Sequence, residues 1–147
     1  MKSGEKILTI FIIFVLWINF LSCNNGSDKK NNPTEYKGKA NIEFPDTLHD
    51  FGILEEGEVA EYTFKYKNTG TAPLKITNII TDCGCTVPKY DKKPVLPGEN
   101  AKIKVTFDSR GFRNNIYKTI TVKTNAEKRN IKLILTAFIK NNNNLNY

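Results

Sequence analysis

Two short runs in this 147-residue chain hold side chains suited to chemistry: His49-Asp50-Phe51-Gly52 and Cys83-Gly84-Cys85-Thr86. An imidazole beside a carboxylate is the raw material of a general base or a metal ligand. Against that stands a structural reading. Phe51 would point inward from a strand, and Gly52 would permit a kink or bulge where an edge strand changes sheets. Structure is preferred, because no candidate nucleophile occupies a motif position. The cysteine pair admits three readings: packed thiols with no role beyond the fold, a local disulfide in an oxidising compartment, or a metal site in which both thiolates and His49 bind Cu(I) or Zn(II). A tetrahedral zinc site wants four ligands, so Asp82 or water would have to complete it. Thiol redox catalysis is weaker still, since the Cys-x-x-Cys spacing at a helix N-terminus is missing. Gly84 between the cysteines reads as a backbone conformation closed to other residues.

Little else in the chain is equipped for catalysis. One histidine in the whole sequence argues against a His-rich metal centre or a Ser-His-Asp triad with a spare ring. No Gly-rich phosphate loop, paired-carboxylate motif or calcium loop is present. The expectation is therefore a non-enzyme with no catalytic residues and no cofactor. Lys89, Asp91, Lys92 and Lys93 form a charged loop that reads as solvated surface, with a partner-binding patch as the minor alternative.

The start of the chain indicates where the protein works. Lys2 and Lys6 precede an apolar run over residues 7–21 that ends in Ser22-Cys23. The run falls short of the about 20 residues a membrane-spanning helix needs and fits the roughly 7 to 15 of a signal-peptide core. Phe20-Leu21-Ser22-Cys23 resembles a bacterial lipobox, in which the cysteine is acylated and becomes the mature N-terminus; Phe20 departs from the usual aliphatic residue there. Residues 24–33 are polar, as a tether after an acyl anchor would be. The expected division is a lipoprotein signal peptide at 1–22, the lipidated Cys23 with a flexible tether to 39, a folded domain at 40–140, and a polar tail at 141–147.

The net charge of +7, from 22 Lys and Arg against 15 Asp and Glu, suits nucleic acid, anionic headgroups or nothing specific. An exported chain rarely meets nucleic acid, so the expected partners are the membrane, through the lipid anchor, and an unknown envelope protein or polymer.

The folded part must be built of strands. Over residues 61–67, Tyr62, Phe64 and Tyr66 alternate with Glu61, Thr63, Lys65 and Lys67, which puts the aromatics on one face. Lysine interleaved with aromatics also suits base stacking, but a core role is preferred. Further strands read at 74–81, at 101–108 with Ile103, Val105 and Phe107 inward, at 116–123 with Ile120 and Val122 inward, and at 130–140. Short pieces at 42–44 and 48–51 precede them. Asn68-Thr69-Gly70, Pro97-Gly98-Glu99-Asn100, Ser109-Arg110-Gly111 and Asn125-Ala126-Glu127 supply turn chemistry between strands. The fold class expected is all-β, an immunoglobulin-like antiparallel β-sandwich of about seven strands, with residues 86–100 as its longest irregular stretch.

His49-Asp50-Phe51-Gly52, Glu56-Gly57-Glu58, Asn68-Thr69-Gly70, Asp82-Cys83-Gly84-Cys85-Thr86-Val87-Pro88 and Pro97-Gly98-Glu99 occur in an order that resembles the domain-of-unknown-function 1573 family. The resemblance runs from about Leu48 to Lys140. It implies a seven-stranded immunoglobulin-like sandwich, similar to Hydin/ASPM-type and major-sperm-protein-like domains, often exported and lipid-anchored in Bacteroidota. It implies no enzymatic activity and carries no settled biochemical role. The function expected is a lipid-anchored, non-catalytic cell-envelope module that binds an unknown protein or polymer. The alternative is a thiol-based metal-binding or redox protein using Cys83, Cys85 and His49.

Overall fold

Alternating inward and outward side chains organise the protein into β1 (Ile42–Glu43), β2 (Leu48–Glu55), β3 (Val59–Asn68), β4 (Ile76–Thr81), β5 (Thr86–Tyr90), β6 (Asn100–Asp108), β7 (Asn114–Thr124) and β8 (Asn130–Lys140). The computed structural model describes residues 36–140, and among these there is no helix. The expected leader, the expected acylation position Cys23, the expected tether as far as residue 35 and the tail 141–147 lie outside the described residues.

Two four-stranded sheets face each other. Sheet A has the order β1-β3-β6-β5 and sheet B the order β2-β8-β7-β4. Phe64 and Tyr66 of β3 and Ile103, Val105 and Phe107 of β6 are buried from one side, and Ile120, Val122, Leu133 and Leu135 of β7 and β8 from the other. Full burial of each such side chain is worth about 1.5–3 kcal/mol. The immunoglobulin-like sandwich expected from the alternation is the fold.

The structure differs from the sequence-based expectation in three places. There are eight strands, because β5 occupies the start of the stretch 86–100 that reads as irregular. Pro88 hides it, since proline cannot donate to a ladder. Here the amide of Asp108 donates to the Cys85 carbonyl (2.9 Å), so Val87 and Lys89 face β6 while the nitrogen of Pro88 faces the open edge, where it forfeits no bond. Second, sheet B is mixed, because β2 pairs with β8 in parallel while the other paired strands run antiparallel. Third, Leu74 is not in β4; it makes an isolated bridge to Val95.

Asn68 ties the end of β3 to two neighbouring segments. Its buried amide nitrogen donates to the carbonyls of Ala72 and Val95 (2.9 Å each), and its oxygen accepts from the Gly70 amide (3.0 Å). Gly70 in turn lies against the backbone of residues 39–41, so closely that a β-carbon there would collide with Asn41 N and Lys39 O. The Thr71 amide donates to the Lys39 carbonyl (2.9 Å), and Ala40 is buried, so the chain joins the fold just before β1.

Candidate functional site

His49 and Asp50 are neighbours on a strand, and successive strand residues point to opposite faces. The His49 ring turns inward, stacking flat on Tyr62 (centroids 3.6 Å apart, planes at 8°) and meeting Phe51 edge-on at 4.7 Å. The Asp50 carboxylate turns outward and accepts the Gly52 amide (3.0 Å). Burial against the rings lowers the imidazole pKa from its ordinary value, and the charge of Asp50 only partly opposes this. Among the described residues no hydrogen bond links the ring to a nucleophile. The pair therefore lacks the geometry of a general base held by its carboxylate. From Phe51 the aromatic row continues to Phe107 (6.4 Å) and on to Phe112 (5.7 Å), over which Lys118 Nζ sits at 4.0 Å.

Cys83 and Cys85 lie where the chain crosses from β4 in sheet B to β5 in sheet A, and they are joined by a disulfide with Cα atoms 5.2 Å apart. Of the three sequence readings this is the second. The Cys83 carbonyl accepts the Thr81 hydroxyl (3.1 Å), and the buried Thr86 hydroxyl lies 3.7 Å from both sulfurs. Gly84 departs from expectation. Its φ is not in the left-handed region, and a β-carbon there would meet nothing within 4 Å, so the position needs no glycine for conformation or space. Among the described residues no three His, Cys, Asp or Glu side chains are placed to hold a metal, so His49 does not join the cysteines as a ligand set. The two motifs instead meet on one core residue: Phe51 stacks on Phe107, and Thr86 sits opposite Phe107 in the ladder.

Gly52 does for β2 what strict alternation cannot. Its φ of +70° belongs to the left-handed region, and residues 51 and 52 together oppose Ala137, a bulge between the pairs Asp50↔Thr136 and Ile53↔Phe138. Without the extra residue, Ile53 would follow His49 and Phe51 inward. With it, Leu54 enters the core and Ile53 turns out to solvent. Ile53 is then 70% exposed beside Phe138 at 43% and Tyr117 at 61%. These three, with Asp50, Gly52 and Thr136, line a shallow groove of about 460 Å³ on the outer face of sheet B.

This apolar face is absent from the sequence-based expectations. Its signal is an aromatic or branched residue in the outward phase beside an inward aliphatic one, as in Ala137-Phe138-Ile139, Ile116-Tyr117 and Ile53-Leu54. In the 89–93 segment, Lys89 belongs to β5, and the Asp91 side chain accepts the Lys93 amide (2.9 Å) in a local turn.

Solved structures with the same architecture include a protein of unknown function from Porphyromonas gingivalis W83 (TM-score 0.62, 20% identity, covering 74% of this chain and 51% of that one). The ASH/PapD-like domain 7 of human CEP192 superposes with a TM-score of 0.59 at 15% identity, covering 70% and 87%. Part of the VesB protease of Vibrio cholerae superposes at 0.51 and 13% identity, covering 69% of this chain and 32% of that one. At such identities these likenesses show the fold alone. The chain spans about half the length of the Porphyromonas gingivalis protein. No curated protein matches the sequence. The sequence profile of one family covers residues 42–139, nearly the whole sandwich and about two thirds of the chain, and so the chain belongs to the family described as "Protein of unknown function (DUF1573)".

Proposed function

We propose that the protein is a lipid-anchored, non-catalytic module of the cell envelope that binds a protein or polymer partner through the outer face of sheet B. One observation carries the reading: the bulge at Gly52 adds Ile53 to Tyr117 and Phe138 as adjacent, exposed, large apolar side chains. Contiguous exposed apolar surface with polar neighbours is where soluble domains receive partners. Anchoring rests on the short apolar run ending at Ser22-Cys23 and the polar stretch after it.

The test places a photo-crosslinking residue at 117 or 138 in the full chain within its own envelope, with Lys132 on the same sheet as the control position. A discrete adduct from 117 and 138, weakened by Ile53→Asp and not formed from 132, is expected. Equal adducts from all three positions would refute the face. Mass spectrometry of the native protein tests the anchor, and an unmodified N-terminus at another residue would refute it. The rival reading, a thiol-based redox protein, is favoured by the disulfide at the β4–β5 crossing. The double variant Cys83→Ser/Cys85→Ser separates the two readings. A binding module keeps its crosslink, whereas a thiol protein loses its function.

A further inference from the structure

The alternation that turns Tyr62, Phe64 and Tyr66 inward puts Lys65 and Lys67 on the opposite, outer face of sheet A. Alternation in β6 adds Lys102 and Lys104, and β5 adds Lys89; all five are exposed. Register brings like charges directly together: Lys65 stands opposite Lys102, and Lys89 opposite Lys104. Such cross-strand pairs repel and lower stability. The positions face solvent, so glutamate or threonine at one member of each pair would relieve the repulsion with no loss of core. Among the described strand residues three acids share the face: Glu61, whose carboxylate contacts Lys104 Nζ at 2.7 Å, Glu43 opposite Lys67, and Asp108 opposite Val59, whose charge is met by Arg110.

The shape of this field selects its partner. Strands about 4.8 Å apart and same-face residues about 6.8 Å apart along each strand spread the five ammonium groups over about 10 Å by 14 Å. They form a two-dimensional array across three strands, with no single stripe that a linear polyanion would follow. Lysine supplies a hydrated point charge on a flexible stem, suited to diffuse headgroups rather than to one chelated anion. The sheet also begins at β1, where the N-terminal segment joins the fold beside Glu43 and Lys67. We propose that the outer face of sheet A lies on an anionic lipid surface, with Lys65, Lys67, Lys89, Lys102 and Lys104 over the headgroups. This orientation rests on the anchored reading, in which the chain leads from an N-terminal anchor into this edge of the sheet. The opposite layer, with Ile53, Tyr117 and Phe138, then faces away from the membrane and toward a partner.

Lysine acetylation footprinting of the full chain tests this. The protein is mixed with vesicles of phosphatidylcholine alone, or with vesicles in which a third of the lipid is phosphatidylglycerol, and modification of each lysine is followed by mass spectrometry. On anionic vesicles the five lysines of sheet A should react about fivefold more slowly, the change in occupancy that roughly 1 kcal/mol of attraction per lysine gives. Lys75, Lys123 and Lys132 should react at unchanged rates, and high salt should abolish the protection. Equal rates for both sets, or protection of Lys123 and Lys132 instead, would overturn the proposal. So would stronger protection by soluble dextran sulfate, which would identify a linear polyanion as the partner. Sedimentation with the vesicles separates the two readings. Protein that pellets on both vesicle types without protection retains the anchor and refutes the face, whereas protein that pellets only on anionic vesicles, with protection, retains the face and refutes the anchor.

Discussion

Two phenylalanines at opposite phases of the sandwich give a sharp test of which way its strands face. Phe107 is fully buried between the sheets, stacked on Phe51 and packed against Phe112. Phe138 removes the same number of atoms when cut to alanine but stands on the outer face of sheet B, 43% exposed. Phe107→Ala loses the transfer energy of a buried ring and leaves a cavity that two sheets cannot close, for a cost of about 3–5 kcal/mol. Its aromatic contacts place it toward the upper end of that range. Phe138→Ala surrenders only partial burial and creates no enclosed cavity, so about 1 kcal/mol or less is expected. Small domains have about 5–15 kcal/mol in total, and each kilocalorie shifts the melting temperature of one this size by about 4–8 °C. Phe107→Ala should therefore melt about 15 °C or more below the parent, and Phe138→Ala within a few degrees of it. Urea unfolding followed by circular dichroism, with an unchanged slope against denaturant, converts the shifts to free energies. Equal losses for the two variants, or a greater loss for Phe138→Ala, would mean that β6 and β8 are oriented wrongly and that the apolar outer face does not exist.

Asn68→Ala strands the Ala72 carbonyl and the Gly70 amide and leaves the Val95 carbonyl with the Leu74 amide alone, and should cost about 2–3 kcal/mol in urea unfolding; Asn68→Asp should do no better at neutral pH, since a carboxylate has no proton for either carbonyl, and a neutral result for both would dissolve the network. Gly70→Ala should cost about 2 kcal/mol or more by forcing the residue 39–41 backbone away, whereas Gly84→Ala should stay within about 0.5 kcal/mol; the reverse order of melting temperatures would refute both assignments. For His49 the folded protein holds its proton less tightly than the unfolded chain does, so its contribution is complete above about pH 6.5 and is lost as pH falls through that value toward the lowered folded pKa. Melting measured from pH 8 to 5 should fall more steeply for the parent than for His49→Phe, which keeps the stacked ring, and parallel curves would disprove the coupling.

Sequence patterning reveals most where one face is buried and the other is wet. Tyr62, Phe64 and Tyr66, and Ile103, Val105 and Phe107, declare their strands because every second residue is apolar and every intervening one polar or charged. The β5 strand is concealed because its inward residues are Thr86, Pro88 and Tyr90, while Val87, its most strand-like side chain, points to solvent. The parallel union of β2 with β8 leaves no local trace, being a contact between distant segments. The same holds for the lysine pairs, since each strand shows ordinary outward lysines and only register sets Lys65 against Lys102. For the site, the His49 and Cys83–Cys85 motifs are visible as unusual residues, but their chemistry depends on facing. Adjacency in a strand separates His49 from Asp50, and no local pattern indicates that Gly52 turns Ile53 outward.

The parallel pairing of β2 also dictates an order of assembly. A chain that emerges from its N-terminus first can join β3 to β6 once residue 108 has appeared, and sheet A then gains β5 by a short connection. Leu48 and His49 have to wait for Ile134 and Leu135, which come almost last. Until β8 arrives, β7 has no neighbour on one side and β2 has none at all, so Leu54 and the ring of Phe51 have no ladder to hold them against sheet A. Bringing together segments so far apart in the chain is the slow step in proteins with non-local topology. Strand β8 thus acts as the clasp of the domain: a chain cut before residue 130 loses the pairings of β8 with β2 and with β7 at once, and sheet B is reduced to the β7–β4 pair.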